Sequence, residues 1–302
     1  MKKIINTLPD NNENFEKTIN VLLNELKSDE EIYRSIKEQN MTVKEVKENI
    51  ARLIEYKEDH DYCKNCPGID KCQKQFPHFA KSIRFDKQIN YLYVNNVACD
   101  KYMEKIKIDS LYERFDAPND WKGIRLNSLD LSNVRRPLVK TFINILNNNT
   151  GQWLYLSGNK KCGKSIILVS FATEYALKYN VNVAVVNSQS IVKQLSSEIF
   201  NDKESFLNDL SMLSNVPLLV LDGFGNEAIS EFNRDNIIFP LLSNRSDNNL
   251  ITLIGSDLSL DEVGQLYDVG KNGNIRYKQL LSLIRSNSAG EFDITGISYK
   301  TK

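Results

Sequence analysis

The chain has 302 residues, which is long for one ordinary domain, so we expect two domains. Its 39 Lys and Arg residues equal its 39 Asp and Glu residues in number, which weakens the case for a nucleic-acid partner but leaves room for a local basic face. No apolar run is long enough to span a membrane, and no signal-peptide core precedes Pro9. These features predict a cytoplasmic protein with no membrane partner.

Residues 1 to about 60 are predicted to form helices. Apolar residues recur at three- and four-residue spacing from Phe15 to Leu26, which places them on one face of a helix. Ser28 and Thr42 are each followed three residues later by Glu, the pattern of a capping box. We interpret the apolar faces as the core of a small helical bundle, and the alternative is a face left exposed for a partner.

A cysteine cluster follows these helices. Cys63 and Cys66 form a CxxC motif before Pro-Gly, a tight turn that can direct two thiolates at one ion. Tetrahedral zinc needs two more ligands, and Cys72 and His78 are the nearest candidates, with Cys99 as an alternative fourth ligand. The competing interpretations are a redox motif or ordinary buried thiols, but a redox pair needs no third cysteine. Because the segment is short and polar, zinc would supply much of its stability.

The chain from Asp100 to about Asn133 is charged and contains turn-forming residues, and we interpret residues 106–133 as a linker. This interpretation divides the chain into a first domain of residues 1–105 and a second of residues 134–302. The second domain is predicted to begin with a helix that runs from Arg135 to Leu146.

A phosphate-binding loop organises the second domain. A strand-like segment precedes it and a helix-like one follows, which is the context that the G-x-x-x-x-G-K-S motif requires. The glycines let backbone N–H groups face a polyphosphate at the positive end of the following helix, where Lys164 adds a charge and the Ser165 hydroxyl can reach Mg²⁺. The motif predicts ATP or ADP with Mg²⁺ as ligands of Gly158, Asn159, Lys160, Lys161, Cys162, Gly163, Lys164 and Ser165.

A second motif lies downstream of the loop. Four large apolar residues, 218–221, precede Asp222, as in a strand that is buried on both faces and delivers one carboxylate to the Mg²⁺ site. Residues 183–187 and 250–257 are predicted to be further buried strands, with helices between the strands. The predicted fold of this domain is α/β, with a parallel sheet and flanking helices.

The order of these motifs resembles the bacterial primosomal helicase loaders of the DnaI/DnaC type, within the AAA+ superfamily. The resemblance covers essentially the whole chain and is closest to loaders with a zinc-bearing N-terminal domain. It implies an AAA+ domain that binds ATP and single-stranded DNA, preceded by a mostly helical domain that docks on the replicative DNA helicase. It also implies self-association or assembly on the helicase ring. In this family the ATP and Mg²⁺ contacts would be Lys164, Ser165 and Asp222, and the zinc ligands Cys63, Cys66, Cys72 and His78.

The sequence departs from this family at two positions. Gly223 stands where the loaders carry a second acid after the metal-binding aspartate, and Asp257 stands where a strand normally ends in a phosphate-sensing Asn. Glycine cannot orient an attacking water, and an ionised carboxylate cannot donate a hydrogen bond to phosphate. The departures predict an ATP binder whose hydrolysis is weak or absent. Arg276 and Arg285 are candidates for the arginine that reaches a neighbouring subunit's nucleotide.

Two other classes of function remain open. An active AAA+ ATPase of the transposition-helper kind would keep the catalytic acid and has no reason to carry the cysteine cluster. An interaction module without nucleotide conflicts with the intact loop. Side chains that suggest DNA contact, although surface charges and core aromatics explain each of them more simply, are Lys193, Arg234, Arg245, Phe224 and Phe232.

Overall fold

A computed structural model describes residues 12–129 and 136–295 of the protein, without the side chains of residues 12–15. The chain divides into two compact units, Met1–Lys105 and Ile106–Lys302. Within the described residues, no helix is long and apolar enough to cross a membrane.

The first unit combines helices with a β-hairpin. Its helices are α1 (Asn12–Ser28), α2 (Glu30–Glu38), α3 (Val43–Glu48) and α4 (Ile50–Lys64), and α5 (Asp100–Ser110) begins in this unit. Strands β1 (Phe79–Asp86) and β2 (Tyr91–Ala98) pair antiparallel, with Phe79 opposite Ala98 and Asp86 opposite Tyr91. A small core holds the two parts together through Leu26, Ile32, Ile36, Leu53 and Leu92.

The helix caps in this unit follow from short polar side chains. Thr42 and Glu45 form the predicted capping box, in which the Thr42 hydroxyl accepts from the backbone N–H of Glu45 at 3.3 Å. The predicted box at Ser28 is wrong by one residue, because α1 continues through Ser28 and the carboxylate of Asp29 caps α2. That carboxylate accepts from the backbone N–H groups of Glu31 and Ile32.

A six-stranded parallel sheet forms the centre of the second unit. Its strands are β3 (Tyr112–Phe115), β4 (Trp153–Ser157), β5 (Val183–Asn187), β6 (Leu218–Asp222), β7 (Ile251–Ser256) and β8 (Ser288–Asp293), in the order β3-β5-β6-β7-β4-β8. The helices are α6 (Arg136–Asn148), α7 (Lys164–Tyr179), α8 (Ser188–Asn201), α9 (Lys203–Asn215), α10 (Glu231–Asn233), α11 (Phe239–Asp247), α12 (Leu260–Leu266) and α13 (Gly273–Asn287). A π-helical stretch, Arg234–Ile238, joins α10 to α11.

Helices cover both faces of this sheet. Side chains alternate between faces along each strand, so Leu154 and Leu156 join one buried cluster while Trp153 and Tyr155 join the other. The first cluster includes side chains of α6 and α7, and the second includes side chains of α8, α11 and α13. The unbroken apolar strands are therefore buried on both sides, and the predicted α/β fold is confirmed.

Residues 106–129 lie in the second unit, which differs from their interpretation as a linker. Tyr112–Phe115 forms the edge strand β3 beside β5, and the backbone N–H of Asp116 donates to Val185 O at 2.8 Å. Trp121 and Ile124 pack against the core. The segment looks charged because an edge strand keeps part of its surface in water. Residues 130–135, which include the end of the interpreted linker and Arg135, lie outside the described residues.

Candidate functional site

The loop between β4 and α7 follows a path that needs its glycines. Gly158 and Gly163 have φ values of 152° and 94°, in the region that favours glycine. A Cβ on Gly158 would lie 2.9 Å from Cys162 Sγ and 3.1 Å from the backbone nitrogen of Thr295. Gly163 directly precedes α7, so the positive end of that helix lies at the loop. This is the arrangement that a polyphosphate site requires.

The side chain of Lys164 is folded over the loop. It is 6% exposed, and its Nζ donates to Gly158 O at 2.7 Å and to Asn159 O at 3.1 Å. The same Nζ lies 2.9 Å from Asp257 Oδ1, at the end of β7. The ammonium therefore has an acceptor for each of its three N–H bonds.

Asp222 lies at the end of β6 beside the first turn of α7. Burial raises the pKa of its carboxyl, against the opposing effect of hydrogen bonds from the Ser165 hydroxyl and the Gly223 backbone. A Cβ on Gly255 of the neighbouring strand would lie 2.5 Å from Asp222 Oδ1, so glycine makes room for the carboxylate. A hydroxyl and a carboxylate therefore meet at the point where Mg²⁺ joins a loop of this kind.

No carboxylate takes the position of Gly223. Glu227 is the first acid after Gly223 along the chain, and it is 4% exposed. Its carboxylate accepts from Ser188 Oγ at 2.7 Å, from the backbone N–H of Gly225 at 2.9 Å, and from the hydroxyl of Tyr267. These bonds hold the turn after β6 in place. The carboxylate of Glu227 therefore has a structural role and does not replace the missing acid at position 223. The sequence motifs gave no sign of this network, because its members come from three separate segments.

Asp257 is held by two side chains at once. While Lys164 binds Oδ1, Asn226 Nδ2 donates to Oδ2 at 3.1 Å. Burial alone would raise the pKa of Asp257, but the hydrogen bonds of Lys164 and Asn226 and the lysine charge outweigh it and lower that pKa. Asp257 is therefore ionised near neutral pH. Asn226 could not be predicted as a partner of Asp257, because its place there depends on the turn after β6.

The predicted zinc ligands come together in the first unit. All four of them, and Cys99 as well, line one cavity of about 30 Å³. Cys63 belongs to the last turn of α4, while His78 and Cys99 flank the open end of the hairpin, where Cys99 N donates to His78 O at 2.8 Å. The end of α4 and the open end of the hairpin therefore bring the thiols and the imidazole to the walls of the same cavity.

These side chains do not form a metal-ligand arrangement. Among residues 12–129 and 136–295, no three His, Cys, Asp or Glu side chains are grouped so as to hold a metal ion. Lys74 Nζ donates to Cys63 Sγ at 3.2 Å, and the His78 ring stacks on Tyr102 with centroids 4.3 Å apart. Hydrogen bonds from the backbone of Lys74 and His78 lower the pKa of the Cys72 thiol, which favours the thiolate.

Three of the suggested DNA contacts are wrong, because they lie in the core. Arg234, Arg245 and Phe224 are each 0% exposed. Arg234 donates to Tyr267 O and Val269 O, beyond the end of α12. The guanidinium of Arg245 is satisfied by Leu213 O, Val216 O, Ile251 O and Thr252 Oγ1. Both arginines therefore stabilise loops and helix ends from inside the protein.

The other two suggested DNA contacts reach the surface. Lys193 is exposed on α8. Phe232 is half-buried and stacks on Phe200, with ring centroids 5.3 Å apart and planes 24° apart. Phe200 is 75% exposed, the largest exposed fraction among the large apolar side chains of the described residues. A stacked aromatic pair with one exposed ring offers a stacking surface that core aromatic residues cannot.

Both candidate arginines for a neighbouring subunit lie on α13. Arg276 is 45% exposed, with its guanidinium 3.9 Å from Asp235 and 6.0 Å from the centre of the Phe239 ring. Arg285 is 43% exposed and forms ion pairs with Asp261 and Glu291 at 2.8 and 2.9 Å. Arg276 is the less tightly paired of the two.

Comparisons with known proteins found relatives in DNA replication. Residues 1–94 match the family model "Primosomal protein DnaI N-terminus". The chain is 24% identical over 267 residues to the replicative helicase loader DnaI of Bacillus subtilis (strain 168), which covers 86% of this chain and 85% of that protein.

Solved structures resemble the fold. A crystal structure of DnaI matches 63% of this chain and 97% of its own, with a TM-score of 0.52 and 24% identity. A putative primosome component from Streptococcus pyogenes serotype M3 matches 63% of this chain and 96% of its own, with a TM-score of 0.49 and 19% identity. Residues 1–94 of the chain thus match the model of the DnaI N-terminus, and 63% of the chain has a fold similar to that of the solved DnaI structure.

Proposed function

We propose that this protein is a replicative helicase loader, which binds the replicative DNA helicase and assists its loading onto single-stranded DNA in the cytoplasm. The observation that carries the proposal is the match of residues 1–94 to the DnaI N-terminus, in a chain that also holds the loop of residues 158–165. The similarity to a replicative helicase loader extends over 86% of the chain. A transposition helper is not favoured, because it has no reason to carry this N-terminal region.

Nucleotide binding is the proposed switch of the second unit. The loop of residues 158–165 would hold the phosphates of ATP or ADP, and Ser165 and Asp222 would support Mg²⁺. Bound Mg²⁺ would neutralise phosphate charge at this site. Since Gly223 has no carboxylate and Glu227 is occupied by hydrogen bonds, we expect binding of ATP, with little hydrolysis, to favour one assembly of the loader with the helicase.

A zinc ion in the first unit is a second part of the proposal. Its support is the donor set itself, because four thiols and an imidazole line one small cavity, and the Cys72 thiolate is favoured by backbone hydrogen bonds. Cys63, Cys66 and Cys72 would hold the ion together with His78 or Cys99. Zinc would contribute stability to a unit with a small core. Measured zinc content of the purified protein and of its five single alanine variants tests this, and a wild type without zinc would rule it out.

DNA contact is proposed for the stacked pair of exposed Phe200 and half-buried Phe232, with Lys193 on the same helix as Phe200. Stacked aromatic side chains bind bases without sequence preference, and a lysine binds backbone phosphate. Fluorescence anisotropy of a labelled single strand should show an affinity that falls with salt and falls again in Phe200→Ala. An affinity unchanged by that substitution would place the DNA elsewhere.

Binding to the helicase is the direct test of the function. The full-length protein, mixed with the replicative helicase of its own host, should elute with it as one complex in size-exclusion chromatography, with and without ATP. A helicase from a distant bacterium serves as the control for specificity. Self-association of the loader alone, followed by sedimentation with ATP or ADP, shows whether assembly needs the helicase ring. The absence of any complex with the host helicase would refute the proposed function.

A further inference from the structure

The ammonium of Lys164 is the group that would bind a nucleotide phosphate, and the Asp257 carboxylate already binds it. A loop lysine of this kind reaches the β- and γ-phosphates of a bound nucleotide. Here its three N–H bonds are directed to two backbone carbonyls and to Asp257 Oδ1, at 2.7, 3.1 and 2.9 Å. A phosphate oxygen can gain this lysine only if one of these acceptors gives way.

We infer that Asp257 is an internal competitor of nucleotide phosphate for Lys164, and that it sets the affinity of the site. The inference rests on the nucleotide binding of the proposed function and adds a residue that weakens this binding. Among these oxygen acceptors, only Asp257 carries a negative charge, so it alone offers Lys164 the kind of ion pair that a phosphate would form. It is also a side chain that follows the end of β7, whereas the other two acceptors are backbone carbonyls of the loop itself.

The pairing is strong enough to matter because it is sheltered from water. The side chain of Lys164 is 6% exposed and that of Asp257 22% exposed, so solvent and salt screen the pair less than a surface ion pair. Charge-assisted hydrogen bonds in such a setting are stronger than neutral ones. A nucleotide therefore has to replace an existing good interaction, and its net gain at Lys164 is smaller than at an unpaired lysine.

Displacement has a second cost, because the carboxylate stays close to the phosphates. Asn226 Nδ2 holds Asp257 Oδ2 at 3.1 Å, so the freed carboxylate remains tethered beside the loop. Asp222, another carboxylate, interacts with Asp257 electrostatically, which places two anions around one phosphate site. Repulsion between the tethered carboxylate and the phosphates adds to the penalty.

The experiment compares Asp257→Asn and Asp257→Ala with wild type by calorimetric titration of MgATP and MgADP. We expect both variants to bind both nucleotides about tenfold more tightly, since each removes the competing charge. Asparagine could also donate a new hydrogen bond to phosphate, whereas alanine cannot. Tighter binding in the asparagine variant alone would therefore overturn the inference, as would unchanged or weaker binding in both. Asp261→Asn, an exposed acid paired with Arg285, is the matched control and should bind like wild type.

A double-variant cycle separates competition for Lys164 from general repulsion. In a Lys164→Ala background, Asp257→Ala should give a much smaller gain in affinity, because there is no lysine to release and only the repulsion is relieved. An undiminished gain there would overturn the inference. If neither wild type nor any Asp257 variant binds nucleotide, the proposed function fails at its nucleotide site, and this inference fails with it. If wild type binds and the Asp257 variants bind no more tightly, only the inference fails.

Discussion

At Asp222, Mg²⁺ binding favours the ionised carboxylate, whereas folding favours the protonated carboxyl. Burial raises the pKa of this carboxyl, so the ionised form that Mg²⁺ needs is the less favourable one in the folded chain. Because the folded pKa is raised above its unfolded value, this group's contribution to stability falls as pH rises from below the unfolded value through the folded one. The strand end is therefore a place where function is kept at a cost in stability.

We predict that Asp222→Asn stabilises the protein and removes its response to Mg²⁺. The amide keeps the shape of the side chain without its buried charge, so unfolding in the absence of nucleotide should require about 1 kcal/mol more. Thermal melting with and without MgATP measures both effects. Asp261→Asn, on the surface, is the control and should leave the melting temperature and the MgATP response unchanged. A lower melting temperature for Asp222→Asn would contradict this account of its environment.

Charged residues at the element scale show why burial has to be known before a role is assigned. Arg245 links α11 to the ends of α9 and β7 by bonds to three backbone carbonyls and Thr252 Oγ1. From the sequence alone, Arg245 is a basic residue in a domain that is expected to bind DNA. The structure places this charge in the interior, where it donates to three backbone carbonyls.

We predict that Arg245→Ala destabilises the second unit by about 3 kcal/mol, because three buried carbonyls lose their donor. Chemical denaturation, followed by far-ultraviolet circular dichroism, measures the change. Lys193→Ala is the matched basic control on the exposed side of α8, and it should leave stability within about 0.5 kcal/mol of wild type while it weakens binding of single-stranded DNA. Equal stability of the two variants would refute the structural role of Arg245.

Strands that are buried on both faces could be predicted from the sequence, and edge strands could not. Leu154–Leu156 and Leu218–Leu221 are unbroken apolar runs, which are typical of a parallel strand covered on both faces. At the two edges, β3 contains Glu113 and Arg114, and β8 contains Gly290, so neither carries an apolar signal. Their places in the sheet come from pairing with β5 and β4, which is a tertiary effect.

The candidate site divides in the same way. The loop of residues 158–165 is contiguous, so its spacing alone carries the prediction. The bonds of Asp257 to Lys164 and Asn226 join three segments that only the fold brings together. The sequence itself shows that position 223 has no acid. The hydrogen bonds of Glu227 with Ser188 and Tyr267 could not be predicted, because the fold brings these residues together.

For the whole molecule, two compact units with separate chemistry imply separable losses of function. The cysteine cavity lies entirely in the first unit, and the nucleotide loop lies entirely in the second. If zinc stabilises the first unit, its removal should affect helicase binding while nucleotide binding persists.

We predict that Cys63→Ala lowers zinc content and weakens the complex with the helicase by about tenfold, with MgATP affinity unchanged. Zinc analysis, helicase pull-down and nucleotide titration of the same preparation measure these effects. Asp261→Asn, on the surface of the second unit, is the control outside the cavity, and it should keep its zinc and bind the helicase like wild type. Loss of helicase binding in both variants would contradict the assignment of these functions to separate units.

The central claim is that binding of ATP, not its hydrolysis, drives the loading of the replicative helicase. The most direct measurement is the amount of host helicase that the loader transfers to circular single-stranded DNA with ATP and with a non-hydrolysable analogue. The account predicts equal loading with the two nucleotides and loss of loading in Lys164→Ala. Loading that proceeds with ATP and fails with the analogue would contradict it.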